Sequence, residues 1–366
     1  MGYGQCSMEG LAMSDVFWRG KTVLVTGHTG FKGSWLTLLL HGMGARVVGY
    51  SLAPSTQPNL YTLAGVDELC EKSYIADIRD ADALKKAFLE TKPDIVLHLA
   101  AQPLVRQSYR DPVETYTTNV IGTVHVLEAL RETPSVRVCV VVTTDKCYEN
   151  REQDYAYCES DPLGGHDPYS SSKACAEIVV AAYRRSFFEG GVSVSTARAG
   201  NVIGGGDWSE DRLIPDAVKA FIAGESFSVR NPKAIRPWQH VLDPLVGYLQ
   251  LAEKQWNSPE EYSRAFNFGP DPKHRVEVRE VADILAQSWG EGAHWEAMDS
   301  REDAPHEAAQ LALDISQTCE HVGWKPRFSY QEAITRTALW YKKLIKNPVA
   351  ARTLCEEDIN LYYTSL

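Results

Sequence analysis

The stretch that most constrains this chain is TVLVTGHTGFKGSWL, residues 22–36. A short β-branched apolar run reads as a strand buried on both faces. Such strands belong to parallel sheets covered by helices. Gly27, Gly30 and Gly33 follow at G-x-x-G-x-x-G spacing, ahead of a helix-length apolar segment over 34–44. That junction combines a tight turn, a close backbone approach and a helix N-terminus with free N–H groups. All three suit a pyrophosphate.

The rest of the chain keeps the rhythm. Apolar runs over 45–51, 72–77, 93–101, 136–144 and 192–202 read as strands, and 80–91, 112–132 and 168–187 read as helices. Strand–helix alternation at this spacing gives a parallel sheet with helices on both faces. After Gly204 the pattern shifts to a glycine-rich, mixed-charge segment, then a strand over 265–269 and helices over 278–290 and 329–346. The expected architecture is α/β: a Rossmann-type doubly wound parallel sheet with a smaller C-terminal α+β lobe. The expected division is an N-terminal arm (1–17), a dinucleotide-binding domain (18–204) and a substrate lobe (205–366), with some lobe segments returning to the first domain.

Charge and cysteine content narrow the partners. A net charge of −11 argues against nucleic acid, whose phosphates want a basic surface. None of the eight cysteines forms a CxxC pair, so reduced thiols are expected and no metal site is implied. No segment reaches the ~20 apolar residues that span a bilayer, and the start of the chain lacks a secretory pattern. A cytoplasmic protein with a small-molecule substrate is expected.

Within the glycine loop, His28 and Lys32 are larger than a phosphate cradle needs. His28 is expected to crowd the loop and weaken cofactor affinity. Lys32 can pair with the pyrophosphate or point to solvent. The second strand ends in Gly49–Tyr50–Ser51, without the acidic residue that commonly holds an NAD ribose and without an arginine for a 2′-phosphate. By that rule NAD and NADP stay open. Asp77 suits an adenine contact or, equally, the N-cap of the following helix.

Tyr169 and Lys173 stand four apart in PYSSSKACAEIVV, which places them on one helix face. An ammonium beside a phenol favours the phenolate, and a phenolate can take a proton from an alcohol. Thr143 and Thr144 end an upstream strand and offer a hydroxyl to the same oxygen.

These features together, with DIRD (77–80), HLAAQ (98–102) and NVIGT (119–123), resemble the extended short-chain dehydrogenase/reductase family over residues 18–345. The resemblance implies an NAD cofactor, NADP being less favoured, and a nucleotide-sugar substrate. It carries cofactor contacts to Gly27, His28, Thr29, Gly30, Phe31, Lys32, Gly33, Ser51, Asp77, Ile78, Leu99, Ala100, Ala101, Thr143, Tyr169 and Lys173. It carries substrate contacts to Arg106, Thr144, Asn201, Arg212 and Arg236, although for any one arginine a surface salt bridge is the competing reading. It also implies a homo-oligomer, a dimer or a dimer of dimers, built on the broad apolar faces of the helical stretches 119–130 and 176–187. The alternative is that those helices pack only on the sheet.

Thr144 is followed directly by Asp145 and Lys146. A 4-epimerase needs only oxidation and reduction at C4. A 4,6-dehydratase also needs an acid for the leaving C6 hydroxyl and a base for the C5 proton, and an adjacent acid and amine can supply them. The Asp–Lys pair, GHTGFKGSWL (27–36), RAGNVIGGGDW (198–208) and RPWQHVLDPLVGYL (236–249) resemble the 4,6-dehydratase branch that acts on CDP-glucose. Lys146 is then the C5 base, provided its amine is depressed from about 10.4, or a cation that steadies the enolate. The competing readings are a nucleotide-sugar 4-epimerase, a net reductase and a non-enzymatic dinucleotide sensor.

Overall fold

Three central strands bury every residue: β1 (Thr22–Thr26), β4 (Ile95–His98) and β5 (Val138–Val142). Successive side chains on a strand point to opposite faces, so each strand feeds two cores. Val23, Val25, Ile95, Leu97, Val138 and Val140 enter one cluster, and Leu24, Val96, Cys139 and Val141 enter the other. An unbroken apolar run is therefore what a doubly covered strand requires.

The computed structural model describes residues 15–290, 292–298, 308 and 310–364. Most of the expected N-terminal arm lies outside the described residues. The chain runs α1 (Asp15–Trp18), β1, α2 (Phe31–Gly42), β2 (Arg46–Ser51), α3 (Leu60–Leu63), β3 (Cys70–Ile75), α4 (Ala81–Thr91) and β4. It continues α5 (Val105–Arg110), α6 (Pro112–Tyr116), α7 (Gly122–Arg131), β5, α8 (Pro168–Phe187), β6 (Ser193–Ala199), β7 (Val202–Ile203), α9 (Leu213–Ala223) and β8 (Phe227–Val229). It closes with β9 (Gln239–His240), α10 (Leu242–Asn257), α11 (Pro259–Tyr262), β10 (Ala265–Phe268), α12 (Val278–Trp289), β11 (Trp295–Ala297), α13 (Tyr330–Lys346) and α14 (Ala351–Thr364).

A seven-stranded sheet has the order β10-β6-β5-β4-β1-β2-β3, and every pairing in it is parallel. The winding direction reverses between β1 and β4, the switch point where doubly wound sheets bind ligands. The doubly wound α/β expectation is met. The smaller elements pair as β8–β11 and β7–β9.

The strand expected over 265–269, here β10, joins the main sheet on β6. Two details depart from the sequence reading. The helix expected over 112–132 contains a π-turn at Thr117–Ile121 between α6 and α7. A last helix, α14, follows α13, where the sequence reading ended at 346. Its pattern carries little apolar periodicity, and it is secured by tertiary contacts instead. Arg352 donates to the carbonyls of Ala64 and Gly65 at 2.7 Å each, and Tyr362 donates to Asp243 Oδ1 at 3.0 Å.

His98 and His240 are buried, and burial lowers both to about 3; burial likewise lowers His28 to about 4. Each is neutral in the folded chain at pH values where the unfolded chain binds a proton. Folding stability should therefore fall as pH drops from about 6.5 toward 4. The denaturation midpoint across that window measures it, and His240→Asn should flatten the slope.

Candidate functional site

At the switch point the ends of β1 and β4 are tied together. Thr26 Oγ1 accepts from the N–H groups of Leu99 and Ala100 (3.1 Å each) and pairs with His98 Nδ1 at 2.6 Å. The chain then turns through Gly27, whose φ of 80° suits glycine. A Cβ at Gly27 would lie 2.8 Å from Ala100 N, and one at Gly33 would lie 2.0 Å from the Gly27 carbonyl oxygen. Gly30 opens α2 without any side-chain cap. The first N–H groups of α2 are thus left to a ligand, and the dipole favours an anion there. This junction fits a dinucleotide pyrophosphate.

The two large loop residues turn inward. The His28 ring is fully buried against Gly49, where a Cβ would fall 2.3 Å from Cδ2, and Nε2 pairs with Ser73 Oγ at 2.8 Å. It fills the space behind the loop, so the expected crowding falls on Gly49 and not on the phosphate approach. Lys32 is half-buried at the cavity wall. Its Nζ donates to Tyr248 OH at 3.0 Å on α10, and burial lowers the amine to about 7.

The nucleoside end of the loop has mixed placements. Thr29 Oγ1 pairs with Ser51 Oγ at 2.9 Å and donates to the Leu52 carbonyl at 2.8 Å. Asp77 is not the helix cap. Asp80 caps α4 by accepting from Ala83 N at 3.0 Å, while Asp77 binds the backbone and guanidinium of Arg79. Ile78 is buried in the core, close against Gly122, which leaves its backbone as the part that can meet a nucleotide.

A cavity of about 1700 Å³ opens beyond the C-terminal ends of β4, β5 and β6. Phe31, Lys32, Leu99, Ala101, Arg106, Thr143, Thr144, Asp145, Lys146, Tyr169, Lys173, Asn201, Arg212 and Arg236 all line it. Gly27, Gly30 and Gly33 belong to the adjoining loop. The expected catalytic and substrate residues therefore share one cavity, while His28, Thr29, Ser51, Asp77, Ile78 and Ala100 of the expected cofactor set are not among its lining residues.

Its chemistry is set by burial. Thr144 Oγ1 donates to Asp145 Oδ1 at 3.0 Å and lies within hydrogen-bonding reach of the Tyr169 phenol. Burial raises the Asp145 carboxyl above the usual range, against the opposing charges of Lys146 and Arg236. Its second oxygen is buried without a hydrogen-bond partner among the described residues. Burial also raises Tyr169 to about 12, although Thr144 and Arg212 favour its phenolate. Burial thus outweighs the groups that favour the phenolate. Lys173 Nζ donates to the Val142 carbonyl at 3.2 Å, and burial brings it down to about 8. Burial pushes the Cys147 thiol well up, so it stays protonated and inert.

The sequence model of the GDP-mannose 4,6 dehydratase family matches residues 24–337. The chain belongs to that family. It is 48% identical over 336 residues to a CDP-glucose 4,6-dehydratase of Salmonella typhimurium, covering 90% of this chain and 93% of that one. It is 28% identical to a dTDP-glucose 4,6-dehydratase of Xanthomonas campestris over 87% of this chain and 93% of the relative. The crystal structure of a dTDP-glucose 4,6-dehydratase from Streptomyces venezuelae, solved with NAD bound, superposes with a TM-score of 0.75 at 26% identity, covering 90% of this chain and 99% of that one.

Sequence reasoning missed the carboxylates that hold the arginines of this dehydratase-family chain. Arg212 Nη1 binds Asp207 Oδ2 at 2.9 Å, and Asp211 lies 3.5 Å from Arg106 and 3.4 Å from Arg230. Arg230 also lines the cavity but was not expected there. It follows directly on β8, at a strand end, which was the available signal. The packing of His28 on Gly49 has a direct check. Gly49→Ala should destabilise the protein by about 1–3 kcal/mol through overpacking, and Gly49→Ala/His28→Ala should regain most of the loss in a thermal melt.

Proposed function

We propose that this chain is a CDP-glucose 4,6-dehydratase, a hydro-lyase that converts CDP-glucose to CDP-4-keto-6-deoxyglucose and water. The observation that carries the reading is Asp145: a buried carboxyl held toward its protonated form, in one cavity with Thr144, Tyr169 and the adjacent Lys146. An epimerase has no use for that acid. The 48% identity to a CDP-glucose 4,6-dehydratase supports the choice of cytidine nucleotide.

The cofactor is NAD, which when bound supplies a hydride acceptor for C4 and the same hydride for C6, so no net redox change occurs. Gly27, Gly30, Gly33 and the N-terminus of α2 hold its pyrophosphate, with Thr29 and Ser51 toward the nucleoside. Thr144 holds the substrate O4, and Tyr169, as the phenolate that Thr144 and Arg212 favour against burial, takes the O4 proton. The resulting C4 ketone acidifies C5–H. Lys146 Nζ takes that proton, Asp145 gives its proton to O6, and the C6–O bond breaks with loss of water. The C5 proton then returns from Lys146. The proton gained by Tyr169 balances the one Asp145 gave, and the two groups sense each other electrostatically.

Arg106, Arg212 and Arg236, with Asn201, are assigned to the substrate diphosphate, since guanidinium groups clamp phosphates bidentately. Asp207 and Asp211 keep two of these cations in place before the anion arrives. The residues from 205 onward serve mainly as the substrate lobe, except that β10 completes the sheet. No described helix is long and apolar enough to cross a membrane.

Incubation with CDP-glucose and NAD⁺ should yield a 4-keto-6-deoxy sugar that absorbs in strong base; an epimerised hexose with no such absorbance would overturn the reading. Lys146→Ala should abolish elimination while C4 oxidation persists, seen as solvent-deuterium exchange lost at C5. Asp145→Asn should lower turnover by about 10²–10⁴-fold.

The same reading includes a homodimer. Val113, Tyr116 and Ile121 on one helical segment and Ile178 and Phe187 on α8 are exposed apolar residues, while the opposite faces of α7 and α8 pack on the sheet. Ile121→Asp/Ile178→Arg should give a monomer by light scattering with the melting temperature nearly kept. Unchanged mass would remove these helices from the interface.

A further inference from the structure

α8 meets the end of β5 through successive turns of one helix face. At the first turn Tyr169 stands beside Thr144. At the second, Lys173 Nζ donates to the Val142 carbonyl at 3.2 Å. At the third, Glu177 Oε1 accepts from Thr143 Oγ1 at 2.5 Å. Residues 169, 173 and 177 repeat at the i, i+4, i+8 spacing of one face.

Glu177 is deeply buried and densely bonded. Its other oxygen, Oε2, accepts from Thr196 Oγ1 at 2.8 Å and from Arg198 Nη2 at 2.7 Å, both on β6. Arg198 continues to Tyr148 OH at 2.9 Å, and Tyr148 donates to Asn267 Oδ1 at 2.6 Å on β10. A buried carboxylate would be strongly disfavoured without such partners. Although burial opposes it, Arg198 and the threonine hydroxyls hold Glu177 below the usual carboxylate range, so the group is an anion.

We propose that Glu177 is a positioning residue for catalysis, fixing Thr143 at the end of β5 and supplying the counter-charge for the Lys173 ammonium. It touches neither substrate nor cofactor and acts through those two residues. Among the groups facing Lys173, Cys147 after β5 is a protonated thiol, His98 of β4 is neutral, and Lys32 of α2 is an amine lowered to about 7 that carries no negative charge in either form. Glu177 is the carboxylate among them, and it works against the burial that discharges the amine. Around Glu177 stand Arg198 on β6, Arg184 on its own helix and Cys147.

The sign follows. Removing the anion lets the buried ammonium lose its proton at lower pH. In Glu177→Gln the Lys173 amine should titrate lower than in the wild type by about one pH unit or more. Side-chain NMR reads this, with the signal assigned through Lys173→Met. The alkaline limb of the kcat profile should move the same way, so the deficit, about twofold at neutral pH for a one-unit shift from about 8, grows as pH rises and shrinks as it falls. Glu177→Asp keeps the charge and should restore the limb, with kcat still reduced. Thr143→Val should lower kcat and leave the limb in place.

A folded Glu177→Gln variant with an unmoved amine titration and a uniform loss at every pH would overturn the proposal. Glu177→Gln also strands Arg198, so it can fail to fold; Glu177→Gln/Arg198→Gln then removes the pair together and must show a smaller shift in the same direction, since the lost cation offsets part of the lost anion. If neither variant folds, the pair serves only the fold and the proposal fails. The kinetic arm rests on the dehydratase reading, but the NMR arm does not. Wild-type protein inactive on CDP-glucose and NAD⁺ would sink that reading alone.

Discussion

The site depends on how α8 registers against the end of β5. Tyr169, Lys173 and Glu177 each face one of the residues Val142, Thr143 and Thr144, and that register places a phenol, an amine and a carboxylate along one strand end. Asp167 caps the helix through Ser170 N at 2.9 Å, which fixes where the first turn begins. Asn119 reinforces it from outside, donating to Ser172 Oγ at 2.9 Å and to the Gln102 carbonyl at 3.1 Å. A slip of one residue would carry the whole face away from the strand, because helical neighbours share a face only at three or four residues' separation.

Burial then decides the charge state of each group. The same desolvation that raises Asp145 and Tyr169 lowers Lys173 and Lys32. Each group is driven toward its neutral form, which readies a carboxyl to give a proton and an amine to take one. The acidic chain nevertheless presents cations to its cavity, because internal carboxylates, Asp207 and Asp211, hold arginines there. Net charge described the outer surface and said little about the pocket.

Much of this was legible in the sequence. The β-branched runs, the glycine junction and the helix of Tyr169 and Lys173 sit where the periodicity placed them, since local pattern and tertiary burial agree there. The cavity-lining residues Thr144, Asp145, Lys146, Tyr169, Lys173 and Arg236 were all named from motif and resemblance. What failed was orientation. His28 and Lys32 lie in the loop as expected, but their side chains turn to Gly49 and Tyr248, residues 21 and 216 positions away. No local rule reports such a partner. The helix α14 escaped for the same reason: it is defined by what it docks against.

The sequence by itself determined that this chain would wind a parallel sheet around a glycine-rich turn and carry a tyrosine, a lysine, an acid and an amine near strand ends. Periodicity and glycine spacing are local properties, so they survive without a partner in view. Only the tertiary structure decided which of those groups face one another and which charges they carry. Protonation follows burial and neighbours, and both are created by packing. Glu177 illustrates the difference: on paper it is one more glutamate in a helix, and in the fold it is an anion bound to Arg198, Thr196 and Thr143 beneath the site.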